Sequence, residues 1–348
     1  MGSLQVGLAV LGALVLAGLT AHAVWQARKW RPPQGAASHD LREPIEPSFG
    51  PPAEPAEPVA SAAALPDTPR RPAAGAALLD PLIDAIAPLR LDTPLEAGTV
   101  LAHLPPTRRV GSKPMAIEGL DARTGKWQPL HAAGTCVELQ AGVQLANRSG
   151  ALNEIEYSEF VQKMQTFADA VGASTEFPDM LDVVARAREL DGFAGQHDAQ
   201  LAMRLHAKGS AWSVGFIQQQ ASRLGFLPGA LPGRLVLPGT AEGAPPLLTL
   251  LFDRQAALAG EPAQAAVREL TLAFDVPQTP AGQAPFQVWQ EAGEALAQSL
   301  GALVSDDQGR PLQAGSFGVI SEELAGLYDK LAGCGLPAGS AAARRLFS

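Results

Sequence analysis

Asp306 and Asp307 are the residues that first invite a chemical reading, because paired carboxylates can bind metals or exchange protons. Neighbouring residues at a strand end point to opposite sides, however, and Gln308-Gly309 follows as a turn signal. A solvated turn is therefore expected there. The six histidines (His22, His39, His103, His131, His197 and His206) form no HxH, HExxH or His/Cys cluster, so no metal site is expected. No Ser, Thr or Cys sits in a nucleophile elbow. The glycines between Gly225 and Gly233 lack the spacing of a phosphate-cradling loop, and Pro228 and Pro232 stiffen that stretch. Arg108-Arg109 and Arg344-Arg345 are isolated basic pairs, expected to be solvated. These residues point to a protein that is not an enzyme and needs no cofactor.

Composition narrows the partners. The chain has 348 residues, 47% of them hydrophobic but only 5% aromatic, with 35 glycines and 30 prolines. That mixture fits about two compact domains joined to a long irregular segment. A formal charge of −9 argues against nucleic acid, whose phosphates call for clustered Lys and Arg. Cys136 and Cys334 are solitary, which fits a reducing compartment better than a disulfide framework.

The elements that would carry a function begin with a membrane anchor. Leu4 to Val24 is an uncharged run of about the 20 residues that span a bilayer. Trp25 and Trp30 flank its end, and Arg28, Lys29 and Arg31 follow. The positive-inside rule then predicts a single-pass anchor with the short N-terminus outside and everything after Trp25 in the cytoplasm. Ala21-His-Ala23 resembles a signal-peptide cleavage site, but a signal peptide carries its positive charge before the apolar run, not after it. Export of the whole head, as a periplasmic envelope protein binding a ligand or a wall component, is the alternative. After residues 1–25, a linker over 26–76 is rich in Pro, Ala and Glu. Extended, it reaches on the order of 100 Å.

Two α+β units are expected beyond the linker, at 77–192 and 196–333, with a disordered tail at 334–348. In the second, Leu201, Met203 and Leu205 alternate as a strand, and Ser213 caps a helix ending at Gly225. Strands follow at Leu235–Leu237, Leu247–Phe252 and Leu270–Val276. The helical stripe Phe286, Trp289, Gly293, Leu296 and Leu300 stops at Gly301. A strand at Ala302–Ser305 and a last helix complete the plan. The first unit repeats it: Val137 to Ala146 is a strand, and Phe160, Met164, Phe167 and Val171 form a stripe ending at Gly172. The fold class expected is α+β: two copies of a split β-α-β unit, each an antiparallel sheet covered by helices on one face. The other face of the second sheet would present Ala202, Arg204, Leu235, Thr249, Leu251, Thr271 and Ala273. Small and aliphatic groups on a sheet face can receive a peptide. The alternation fits equally an ordinary solvated face, or one covered by the other half of the head.

Four segments carry a family resemblance. They are Gly215-Phe-Ile-Gln-Gln-Gln-Ala-Ser-Arg-Leu-Gly-Phe226, Leu247-Leu-Thr-Leu-Leu-Phe-Asp253, Leu270-Thr-Leu-Ala-Phe-Asp-Val-Pro277 and Leu300-Gly-Ala-Leu-Val-Ser-Asp-Asp-Gln308. In this order, and behind an anchor and a Pro-rich arm, they resemble the ZipA family of bacterial cell-division proteins. The likeness spans about 130 residues. It implies a septal-ring adaptor at the inner membrane that binds the C-terminal peptide of FtsZ on the open sheet face, through the seven residues named above. Arg204 would meet the acidic groups of that tail. The chain departs from the family pattern in having small or polar Ala273 and Asp253 where the family carries large apolar groups, and in the segment Leu227 to Pro238. The unit at 77–192 has no counterpart in the simplest family layout.

Overall fold

The computed structural model describes residues 78–131, 133–240, 243–258, 266–312 and 314–348. The expected anchor Leu4–Val24 and the linker that follows lie outside the described residues. The described chain is mixed α+β, with antiparallel sheets and packed helices.

In the first half, β1 (Asp84–Leu91), β2 (Leu95–Glu96), helix α1 (Ala97–Ala102), β3 (Arg109–Val110), β4 (Lys113–Asp121), β5 (Trp127–Pro129) and β6 (Thr135–Gln144) come first. A small hairpin of β7 (Ala146–Asn147) and β8 (Gly150–Ala151) leads to helix α2 (Glu154–Val171), β9 (Ala173–Thr175) and helix α3 (Met180–His197). The second half holds β10 (Gln200–Ala207), β11 (Trp212–Ser213), helix α4 (Val214–Arg223), β12 (Leu227–Pro228), β13 (Arg234–Leu237) and β14 (Leu248–Leu251). The short helix α5 (Arg254–Ala257), β15 (Ala266–Val267), β16 (Glu269–Asp275), helix α6 (Pro285–Leu300), β17 (Ala302–Ser305), α7 (Ala314–Gly333) and α8 (Ala341–Leu346) follow.

The two large sheets share a plan. Their orders contain β4-β6-β1-β9 and β14-β16-β10-β17, and the chain visits the four positions in the same sequence in each. Local chemistry explains the matching helices. Asn153 and Glu156 form a reciprocal capping box at the start of α2, and Gly172 takes a left-handed conformation (φ 67°) at its end. Pro285 opens α6, where its missing N–H costs nothing, and Gly301 closes it at φ 63°. Ser213 caps α4 by accepting the N–H of Phe216, as its position predicts.

Each helix pair covers one face of its sheet. Ala85, Ala87, Leu89, Leu139, Ala141 and Val143 meet Phe160, Met164 and Phe167 in one core, and Met203, Leu205, Leu270, Leu272 and Phe274 meet Trp289 and Leu296 in the other. Trp289 is fully buried and donates its indole N–H to the carbonyl of Leu272 at 2.9 Å, which removes the cost of burying that donor. A third core joins the halves: Ile83, Ala146, Ala194, Leu331, Leu336, Ala343, Leu346 and Phe347.

That third core corrects the expected tail. Residues 334–348 are not a loose end, because helix α8 lies within them and Leu346 and Phe347 are wholly buried. The pair Arg344-Arg345 is not simply solvated either, since Arg345 grips the buried carboxylate of Asp84 at 2.5 Å. A helix with Arg-Arg at its end reads as surface when its apolar residues are few and split around the charges. The tertiary partner decides.

Candidate peptide-binding face

The face of the second sheet turned away from the helices is set by strand register. Ala202 pairs with Ala273, which pairs with Thr249, and Arg204 pairs with Thr271, which pairs with Leu251. Six of the seven residues expected on this face therefore stand in two adjacent rows across β10, β16 and β14. Val236 and Arg234 of β13 extend those rows, since they pair with Thr249 and Leu251.

Leu235 is the exception and is corrected. It pairs with Leu250, is 4% exposed and belongs to the helix-side core. The run Leu235-Val236-Leu237 has no alternation, so its parity cannot be read from the sequence; pairing with β14 fixes it, and a one-residue change of parity reverses every side chain. Val236 and Arg234 were missed for the same reason.

The face mixes apolar and charged character. Leu251 is 40% exposed, whereas Ala273 is 2% exposed between its neighbours, a shallow floor rather than a ridge. Arg204 pairs with Glu269 at 3.3 Å. His206 lies 3.7 Å from the same carboxylate, and its Nε2 is 3.2 Å from Ser305 Oγ. Exposed Leu303, on β17, sits opposite His206. A cleft of about 400 Å³ beside Leu251 and Thr271 is lined further by Phe252, Val267 and Glu269 among the described residues. Such a surface offers aliphatic contacts and a cation paired with a half-exposed carboxylate.

Other reactive-looking groups are engaged in structure. Asp306 accepts the N–H groups of Gln308 (3.0 Å) and Arg310 (2.7 Å) and pairs with Arg310 Nε, so the turn expected there is what forms. Burial alone would raise its carboxyl, but the bonds from Arg310 hold it below its ordinary value. Lys113 is buried, with its ammonium 2.5 Å from Ser112 Oγ and 3.1 Å from Asn147 Oδ1, while Ser112 donates to Glu156 of the capping box. Burial lowers the Lys113 pKa. The cluster ties β4 and β7 to the start of α2. Cys136 is buried and Cys334 exposed, and both are free thiols. Among the described residues, no group of three or more His, Cys, Asp or Glu is placed to hold a metal ion, and no helix is long and apolar enough to cross a membrane.

No protein-family model matches the chain, and no curated protein matches its sequence.

Proposed function

We propose that this chain is a non-enzymatic adaptor that binds the C-terminal peptide of FtsZ on the second sheet and holds it at the inner membrane through Leu4–Val24. The contiguous two-row face of Ala202, Arg204, Thr249, Leu251, Thr271 and Ala273 carries the reading. An extended or helical segment laid on it would place aliphatic side chains against Leu251 and Ala273, and an acidic group of the tail would take Arg204 from Glu269. The four segments that resemble the ZipA family support it by where they fall: on α4, on β14, on β16 and at the turn from α6 into β17. We read the shared strand order of the halves as two copies of one split β-α-β unit, of which the second is the ZipA-like one.

The test is a titration of the full chain, in detergent, with an FtsZ tail peptide. Leu251→Asp and Ala273→Asp are each expected to weaken binding at least tenfold, about 1.4 kcal/mol. Leu181→Asp, on the exposed side of α3, is expected to leave it unchanged. Equal affinity in all three variants would remove this face from consideration. A reporter joined after Ser348 is expected to signal from the cytoplasm; a periplasmic signal excludes the adaptor.

A further inference from the structure

The first sheet has the strand order of the second, yet its equivalent face carries a segment of the chain itself. At the turn into β1, the N–H groups of Ile83 and Asp84 bond back to the carbonyl of Asp80 at 3.0 and 2.8 Å. The residues before that turn lie over the sheet. Leu79 sits on Gly142 of β6 so closely that a Cβ at Gly142 would come within 2.6 Å of the leucine side chain. Beyond it, the N–H groups of Leu78 and Leu79 both donate to Oε1 of Glu118 on β4, the second at 3.3 Å. The other oxygen of Glu118 accepts from Gln140 at 2.9 Å. The carbonyl of Leu78 accepts from Arg345 at 2.5 Å.

The segment is thus held through the Leu79 side chain, the N–H groups of Leu78 and Leu79 and the carbonyl of Leu78. Glu118 is 0% exposed on a face that in the second sheet is open. A carboxylate buried there is stable only while donors such as these N–H groups replace its water. Register shows how the two faces correspond. Ile86, Gly142 and Ala116 form the row that Ala202, Ala273 and Thr249 form in the second sheet. Leu79 fills the space over Gly142 in that row.

We propose that the free face of the first sheet is a peptide-binding site closed in cis by Leu78–Asp80, so that the chain is its own occupant there. The site takes an extended aliphatic segment that offers consecutive N–H groups to Glu118 and a branched side chain to the space over Gly142. This holds whatever binds the second face, and a failure of the FtsZ peptide to bind would leave it standing.

The experiment uses the full chain and a labelled, N-acetylated peptide of residues 76–81, Ala-Ala-Leu-Leu-Asp-Pro. Leu79→Asp should expel the strap and bind the peptide at least tenfold more tightly than the parent chain, and adding Glu118→Ala should abolish the gain. Equal binding by parent and Leu79→Asp, or none by either, overturns the proposal. If Leu79→Asp does not fold, Leu79→Ala takes its place with the same expectations. In the unaltered chain, the amides of Leu78 and Leu79 should exchange with deuterium far more slowly than in the free peptide. Exchange at the free-peptide rate also overturns it.

Discussion

At the scale of single residues, Asp84 shows how an ion pair can leave a measurable trace in pH dependence. Its side chain is fully buried, and burial holds its carboxyl above the usual 3.8 although Arg345 pulls the other way. The folded state therefore takes up this proton before the unfolded chain does as pH falls. By linkage, the contribution of Asp84 to stability grows as pH drops from neutral through its raised value, and levels off once the unfolded group is protonated too, near 3.8. The melting temperature of the parent chain minus that of Asp84→Asn should become more positive between pH 7 and pH 4. A constant difference would mean that the buried carboxyl is not shifted. None of this was legible in the sequence, where Asp84 is one acid in an apolar stretch and Arg345 lies 261 positions away. What the alternation did supply was the placement of Thr271 and Ala273 on the sheet face opposite Leu270, Leu272 and Phe274, which belong to the helix-side core.

At the scale of elements, helix caps and stripes were readable and short strands were not. Gly172 and Gly301 end their helices where their positions after Val171 and Leu300 predict, because an αL residue without a Cβ satisfies the last carbonyls. The four-residue β13, with three apolar residues in a row, carries no parity of its own, and Leu235 went to the wrong face on that account. Gly293 marks a tighter constraint. It lies in the middle of α6 directly over Met203 of β10, and a Cβ there would stand 2.2 Å from the methionine sulfur. The helix stripe registers Gly293 as inward-facing without showing that it must be small. Gly293→Ala should cost about 1–3 kcal/mol of stability in a denaturant titration, an overpacking effect. The cost should shrink when Met203→Val is introduced first, since the colliding atoms are the far end of that side chain. An unreduced cost in the double variant would place the strain elsewhere.

At the scale of the whole molecule, the halves are expected to stand or fall together. Arg148, in the β7–β8 turn of the first half, reaches Asp198 and Asp275 at 2.6 Å each, and the third core is built from the residue before β1 and from β7, α3, α7 and α8. Phe347→Ala should remove about 3–5 kcal/mol. Its effect should appear equally in the near-ultraviolet signal of Trp289 and in the amide protection of β6, at one denaturant concentration. Two separate transitions would show the halves to be energetically independent. The shared strand order left a trace in the sequence as two helices ending in similar Gly-Ala steps. The joint between the halves was not, because its residues are scattered from Ile83 through Ala146 and Ala194 to Leu331 and Phe347.

The grip of Arg345 on both Leu78 and Asp84 has a mechanical side. Among the described residues, a pull from the N-terminal side meets Leu78 first, whose carbonyl is held by the last helix and whose N–H is held by β4. Tension would then load β4, α8 and, through Asp84, the start of β1 in parallel, in shear, instead of peeling β1 away one bond at a time. Stretched from that end in a force spectrometer, the chain should yield in one high-force event, and Arg345→Ala should replace it with an earlier, weaker one.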